Sequence, residues 1–372
     1  MRSPDVQQLG MFSYVSVESR VPSDHPIRRM RILVDMILKD LDPLFRERYA
    51  EDGRPSIPPE RLLRAAFLQV LYSVRSARLL MEQLDYNLLF RWFVGLNIDD
   101  PVWDHSTFTA NRDRLFDVEV AQRFFAHTVL IAEARDLVSD QHFTVDGSLL
   151  EAWASHKSFQ RKASSDDPGE SGGMSGSDER ESDGSDFRGE KRSNATHEST
   201  TDPDARLFRK GKGKEAKLSF MCNLLMENRN GLIVGVDTRL ATGTAEREGA
   251  LALLDARSPR RGASVGADKL YDCADFVEQL KSRGLKPHIA RNQKGRKSAV
   301  DGRTAASKSY ALSQKIRKRI EQGFGWAKTV GSLRKLKLRG LAAVSGWVAW
   351  NMAALNLVRL GGMAGWWNPS PT

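Results

Sequence analysis

Leu218-Ser-Phe-Met-Cys-Asn-Leu-Leu-Met-Glu-Asn-Arg-Asn-Gly-Leu-Ile-Val-Gly-Val-Asp237 is the stretch that decides the fold. One apolar run ends at Met226, Asn228 to Gly231 supplies turn residues, and a second apolar run extends from Leu232 to Asp237. Two such runs joined by a turn predict a β-hairpin. Toward the C-terminus, Thr244 to Ala256 reads as a helix, Ala263 to Ala267 as a buried strand, Tyr271 to Ser282 as a helix and Lys286 to Ala290 as a last strand. A basic loop over 291–307 then leads into one long helix over 308–330. Toward the N-terminus, residues 141–146 form one more strand.

The order strand, hairpin, helix, strand, helix, strand, helix is that of a ribonuclease-H-like fold, mixed α/β. Between the first strand and the hairpin, 156–205 is rich in Ser, Gly and Asp, a composition that cannot build a core. Residues 1–135 read as all-helical. Ile32, Leu33, Met36 and Ile37 have helical spacing, Pro59 suits the first turn of a helix, and further short helices follow from Ser76 to Leu115. The expected division is a helical DNA-binding domain at 1–135, a catalytic domain at 136–360 with a disordered acidic insert at 160–205, and a tail at 361–372. Arg61, Arg64, Arg75, Arg78, Arg112 and Arg114 are the arginines of the helical part that would meet DNA.

Three acids fall at telling places in this order. Asp146 ends the apolar run His142-Phe-Thr-Val-Asp146, Asp268 ends Ala263-Ser-Val-Gly-Ala-Asp268, and Glu321 lies on the late basic helix. Short aspartates on rigid strands with a longer glutamate on a facing helix suit a site for two Mg²⁺ ions, with Mn²⁺ as a substitute. Such ions prefer hard oxygen ligands and can activate one oxygen while stabilising another in phosphodiester chemistry. At about 100° per residue, Arg317 and Lys328 fall within roughly 40° of Glu321 on the helix. Beside a catalytic carboxylate they would hold the scissile phosphate. The same pattern also fits an ordinary amphipathic helix.

Charge narrows the partner. Residues 281–340 carry 18 Lys or Arg against two acids, a net +16, while 164–204 carries 12 acids against four basic residues. A basic block of that length calls for a polyanion. Gln314, Arg317, Arg319, Lys328, Lys335 and Lys337 are its candidate DNA contacts. Lys210, Lys212, Lys214 and Lys217 form a second basic group ahead of the hairpin, which reads equally as a DNA-backbone contact, with Lys210 and Lys212 as its candidates, or as solvated surface. Two cysteines exclude a disulfide framework or a Cys-based zinc site and fit a reducing compartment. The N-terminal residues lack the apolar core of a signal peptide, so the expectation is a cytoplasmic protein. Leu341 to Leu360 is apolar, but Ser345, Asn351, Asn356 and Arg359 favour a buried helix over a membrane span.

Taken together, Asp146-Gly147, Ala267-Asp268-Lys269-Leu-Tyr271-Asp272 and Arg317-x3-Glu321-x6-Lys328 resemble the DDE transposases of bacterial insertion sequences. The group typified by insertion sequence five is the most similar, with a signature Y-x2-R-x3-E-x6-K. Gln314 occupies the Tyr position, and Tyr310 lies one turn earlier. Leu149 to Phe159, Asp202 to Lys210 and Asp104-His-Ser-Thr-Phe108 share the resemblance, which spans about 20–360. It implies that Asp146, Asp268 and Glu321 are the catalytic and metal-binding acids. It also implies a bacterial, nucleoid-associated homodimer acting on terminal inverted repeats and target DNA, away from membranes. Water would free a 3′ hydroxyl at each element end, and that hydroxyl would then attack the target. Without the resemblance, another two-metal nuclease or resolvase, or an inactive DNA-binding derivative, fits the same residues.

Other residues have plainer readings. Asp104-His105-Ser106 carries the letters of a catalytic triad, but adjacent residues cannot adopt that geometry, and a helix cap explains them. Asp272 and Asp275 read as first-turn helix acids, Glu151 as a surface residue, and Asp237 as a minor candidate for a fourth acid. Trp326, Trp347 and Trp350 read as packing residues rather than base-stacking ones. His142, His156 and His288 have no metal-ligand spacing.

Overall fold

A computed structural model describes residues 15–48, 56–115, 117–162, 185–187, 190–209, 211, 213–292 and 297–363. Its first part is helical: α1 Val17–Arg20, α2 Pro26–Asp40, α3 Asp42–Arg48, α4 Pro59–Leu71, α5 Ala77–Tyr86, α6 Leu88–Val94, α7 His105–Leu115 and α8 Val118–Ala134. Asp104 caps α7 by accepting from the Ser106 N–H at 2.8 Å, so the triad letters are a helix start. Leu33 and Ile37 of α2 are buried, whereas Ile32 and Met36 face solvent.

The strands are β1 His142–Glu151, β2 Phe159–Arg161, β3 Ser185–Phe187, β4 Glu190–Arg192, β5 His197–Ser199, β6 Arg206–Phe208, β7 Lys217–Glu227, β8 Ile233–Leu240, β9 Ser264–Ala267 and β10 Lys286–Ile289. The later helices are α9 Ala245–Arg257, α10 Ala274–Ser282, α11 Gly302–Ala305, α12 Lys308–Ile316, α13 Arg319–Thr329 and α14 Leu341–Gly362.

β7 and β8 are the predicted hairpin, and ten of the eleven β7 residues are buried. A strand covered on both faces needs such a continuous apolar run. Across the sheet the order is β8, β7, β1, β9, β10. β7 runs antiparallel to both β1 and β8, while β9 and β10 run parallel to β1. The antiparallel hairpin on one side of β1 and the two parallel strands on the other make the sheet ribonuclease-H-like. β6 extends the sheet by pairing with the start of β7.

α14 passes the length and composition test for a membrane span, yet 67% of its most apolar window is buried inside the protein. It packs on α8, α2 and β8. Trp350 meets Phe124 at 4.5 Å between ring centroids and Phe67 at 6.1 Å. Asn356 serves both backbone groups of Ile233, accepting its N–H at 3.0 Å and donating to its carbonyl at 2.8 Å. Asn356 therefore binds α14 to the edge of the sheet, whereas Asn351 donates to the Trp347 carbonyl of its own helix at 2.8 Å.

Three expectations change. β1 continues to Glu151, so Asp146 lies within the strand rather than at its end. The helix expected over 308–330 divides into α12 and α13. At the junction, Ile320 and Glu321 bond back three residues, to Arg317 and Lys318, which tightens the turn without leaving helical dihedrals. Finally, part of the supposedly coreless insert is built. β2 pairs with β5, Phe159 stacks on His197 at 5.5 Å, and Ser199 and Asp202 are fully buried. Asp202 and Asp204 accept from the Gly340 and Leu341 N–H groups at 3.1 and 2.8 Å, capping α14 from a distant segment. Residues 163–184 of the insert lie outside the described residues.

Candidate active site

The parallel register of β1 and β9 pairs Thr144 with Gly266. Two residues further on, Asp146 and Asp268 therefore reach the same level on the same face of neighbouring strands. Asp268 leaves β9 at this point and caps the turn that follows, accepting from the Leu270 N–H at 2.7 Å. α13 packs over β1 and carries Glu321 in its first turn. The middle of β1, the end of β9 and the start of α13 thus set three acids, spread from position 146 to 321, around one face of the sheet.

The flanking cations lie on the same face. Gly266 has no side chain, so α12 approaches β9 closely: a Cβ on Gly266 would stand 3.5 Å from the Arg317 Cβ. The Arg317 Nε donates to Gln314 Oε1 at 2.9 Å, and Gln314 donates in turn to the His288 carbonyl. Tyr310 donates to the next carbonyl, of Ile289, at 2.9 Å. Gln314 therefore braces Arg317 against the end of β10, with Tyr310 beside it. Farther along the helix, Lys328 Nζ donates to Ser148 Oγ at 2.6 Å. Ser148 is on the same face of β1 as Asp146.

Asp146 carries a clear electrostatic signature. Burial comes first in raising its carboxyl to about 7, followed by the charges of Glu246 and Asp268 and, more weakly, Glu321; the Gly147 N–H opposes them. Among the described residues no three His, Cys, Asp or Glu side chains are drawn together closely enough to form a ready metal-ligand set. The acids face one another without being gathered.

Glu246, at the start of α9, is a further acid beside Asp146 that sequence reasoning did not single out. The weaker candidate for a fourth acid, Asp237, is instead bound by Arg239 at 2.6 Å and by Asn223 at 3.0 Å. No local motif marks Glu246, since only the turn from β8 into α9 brings it to β1. Asp272 also has a different role from the one expected. It is 1% exposed and accepts from the Asn292 and Ala299 N–H groups at 2.7 and 2.9 Å, so it secures both ends of the basic loop.

The remaining basic candidates separate into groups. Lys335 lies 3.6 Å from Glu151, whose backbone carbonyl accepts from the Leu336 N–H, so the 333–338 segment is fastened to the end of β1. Lys337 donates to the Arg75 carbonyl at 2.7 Å. Arg75, Arg112, Lys337, Arg339 and Trp347 line a cleft of about 530 Å³ between the N-terminal helices and this segment. Arg64 is held by Asp35 at 2.8 Å inside the helical part, which takes it off the DNA-facing set. Arg75, Arg78 and Arg319 are exposed, and Arg61 is half-buried. Lys210, Lys212 and the Arg114 side chain lie outside the described residues.

A family model described as a transposase domain matches residues 15–114, and one described as a transposase DDE domain matches 180–357. The second match includes Asp268 and Glu321 and begins after Asp146. No curated protein matches the chain. Similar solved structures include a piggyBac transposase synaptic complex with hairpin DNA, at 10% identity and a TM-score of 0.39, covering 90% of this chain and 75% of that one. A pre-cleavage Mos1 transpososome aligns at 12% identity and a TM-score of 0.19, covering 85% and 84% of the two chains. A mariner Mos1 paired-end complex with Mg aligns at 14% and 0.18, covering 84% and 83%.

Proposed function

We infer, from the premise that this chain is a DDE transposase of the insertion-sequence kind, that it binds the terminal inverted repeats of its element, hydrolyses a phosphodiester at each end and transfers the freed 3′ hydroxyls to target DNA. DNA transposition is the activity of the family. The ends, the order of steps and the roles of residues are our reading, as is membership of the group typified by insertion sequence five. The observation that carries it is the level placement of Asp146 and Asp268 on adjacent parallel strands, with the Glu321 helix across the same face.

Divalent cations fit this donor set. A carboxyl raised to about 7 by burial and by neighbouring negative charge is short of positive charge, and carboxylate oxygens are the ligands Mg²⁺ prefers. Asp146, Asp268 and Glu321 would hold two such ions, which supply an activated attacking oxygen and a stabilised leaving oxygen. Arg317, braced by Gln314, and Lys328, beside Ser148, would hold the phosphates on either side of the scissile bond. The basic surface from 291 to 339, with Arg319, Lys335 and Lys337, would supply salt-sensitive backbone affinity. Arg75, Arg78 and Arg112 would carry that surface onto the N-terminal helices. Two copies of the chain would hold the two element ends together.

The test is cleavage and joining of labelled element-end DNA with Mg²⁺ or Mn²⁺, comparing wild type with Asp146→Asn, Asp268→Asn and Glu321→Gln. Each substitution should abolish both steps and leave DNA binding intact. Cleavage that persists in Asp268→Asn refutes the site, and cleavage that never proceeds to joining refutes transposition as the outcome.

A further inference from the structure

Glu246 opens α9 half-buried, and its side chain lies against the backbone of β1 at the residue after Asp146. We propose that Glu246 is a fourth carboxylate of the cation site, reaching it from the opposite face of the sheet to Glu321. The proposal rests on the three-acid reading above and extends it. Strand alternation defines the two faces: Asp146 and Ser148 point toward α13, and Gly147 is open toward α9.

Gly147 makes the approach possible. A Cβ there would stand 2.5 Å from Glu246 Cγ and 3.0 Å from its Cδ, so any larger residue would push the glutamate away. Asn223, opposite Gly147 on β7, is 1% exposed and faces the same gap. Its Oδ1 lies 3.0 Å from that Cβ position and is buried with no hydrogen-bond partner among the described residues. A buried acceptor left without a donor beside a carboxylate marks a place that lacks positive charge or a proton. Tyr271, fully buried on the turn that follows Asp268, is a second orphan: its hydroxyl has no hydrogen-bond partner among the described residues, and burial and the charges of Glu246, Asp146 and Asp268 raise its pKa. Glu246 thus stands beside the elements that carry both aspartates. A glutamate serving only the helix dipole would need neither a glycine opposite it nor a buried tyrosine.

The test is Mn²⁺ binding to the full-length protein without DNA, followed by electron paramagnetic resonance and calorimetry, together with metal-free melting. Glu246→Gln should weaken Mn²⁺ binding by about 10–100-fold. Its metal-free melting temperature should hold or rise, because a repelling charge is gone. End cleavage should fall, and should recover in part with Glu246→Asp or with excess Mn²⁺. Wild-type Mn²⁺ affinity in Glu246→Gln overturns the proposal, as does a loss of cleavage explained by a lower metal-free melting temperature alone. Asp146→Asn separates the two readings. If it weakens Mn²⁺ binding and Glu246→Gln does not, only the fourth carboxylate is lost. If neither weakens it, the three-acid site falls as well. Should Glu246→Gln fail to fold, Gly147→Ala pushes the glutamate off β1, and unchanged Mn²⁺ affinity there overturns the proposal too.

Discussion

Lys328 Nζ lies 2.6 Å from Ser148 Oγ, which places a cation one pleat along β1 from Asp146. The strand fixes that spacing at about 7 Å between Cα atoms. If Lys328 holds a phosphate there, Lys328→Met should lower end cleavage by roughly 10²-fold, the size of effect seen when one stabilising donor is removed. Ser148→Ala deletes the hydroxyl and keeps the charge, so it should cost about 1 kcal/mol of stability and little activity. Equal loss of cleavage in both variants, measured on the same labelled ends, would assign Lys328 to structure alone.

Gln314 receives Arg317 Nε and donates to the His288 carbonyl, so the amide stands between β10 and the guanidinium. Gln314→Ala should release Arg317 and lower cleavage about tenfold, with a stability loss of about 1 kcal/mol. Gln314→Tyr puts the family residue in place and should keep most activity, because a phenol can donate to the same carbonyl. A Gln314→Ala protein that cleaves like wild type shows that Arg317 needs no brace.

His288 is 2% exposed, and burial, with His142 and Lys286 nearby, lowers its pKa to about 4. The neutral ring is thus favoured in the folded chain. Its contribution is present above the ordinary pKa of 6.5 and is lost as pH falls from there toward 4. Urea melts at pH 7 and pH 4.5 should differ more for wild type than for His288→Leu. Parallel pH dependence in the two proteins would show that other groups carry the acid sensitivity.

What the sequence disclosed follows the range of the interaction. The neighbouring placement of Asp146 and Asp268 was legible because each closes or interrupts a short apolar run, and their strands are neighbours in this fold. The Arg317, Glu321 and Lys328 face was legible despite the break at Arg317 and Lys318, because both residues keep helical dihedrals. Glu246 was not legible, since the β8 to α9 turn delivers it to β1 from 100 residues downstream of Asp146. Composition also hid the order around Asp202 and Asp204. Asp202 donates its N–H to Ser199, which β5 pairs with Phe159 of β2, and both carboxylates serve the N-terminus of a helix that begins at Leu341.

That remote cap can be measured. α14 begins after Gly340 with no side-chain cap of its own, and Asp204 supplies one to the Leu341 N–H. Asp204→Ala should therefore cost about 1–2 kcal/mol, the range for a lost N-cap. Cleavage at low temperature should survive, because Asp204 lies away from the three acids. A melting temperature equal to that of wild type would show that water serves the helix end equally well.

Gly249 offers a prediction whose sign reverses the usual rule. Replacing glycine by alanine within a helix normally stabilises it by about 1 kcal/mol. Gly249 is buried within α9, where a Cβ would stand 2.0 Å from Asn223 Nδ2 and 2.8 Å from Asp237 Oδ2. Asn223 cannot simply turn aside: it is 1% exposed and its Nδ2 bonds Asp237 at 3.0 Å. The helix must lift from β7, or the Asn223 and Asp237 pair must break, and either costs more than the propensity gained. Gly249→Ala should thus be destabilised by about 2 kcal/mol in urea melts. Because Glu246 lies one turn earlier on the same helix, Mn²⁺ affinity should fall with it. A Gly249→Ala protein as stable as wild type would mean that α9 does not seat on Asn223 as described.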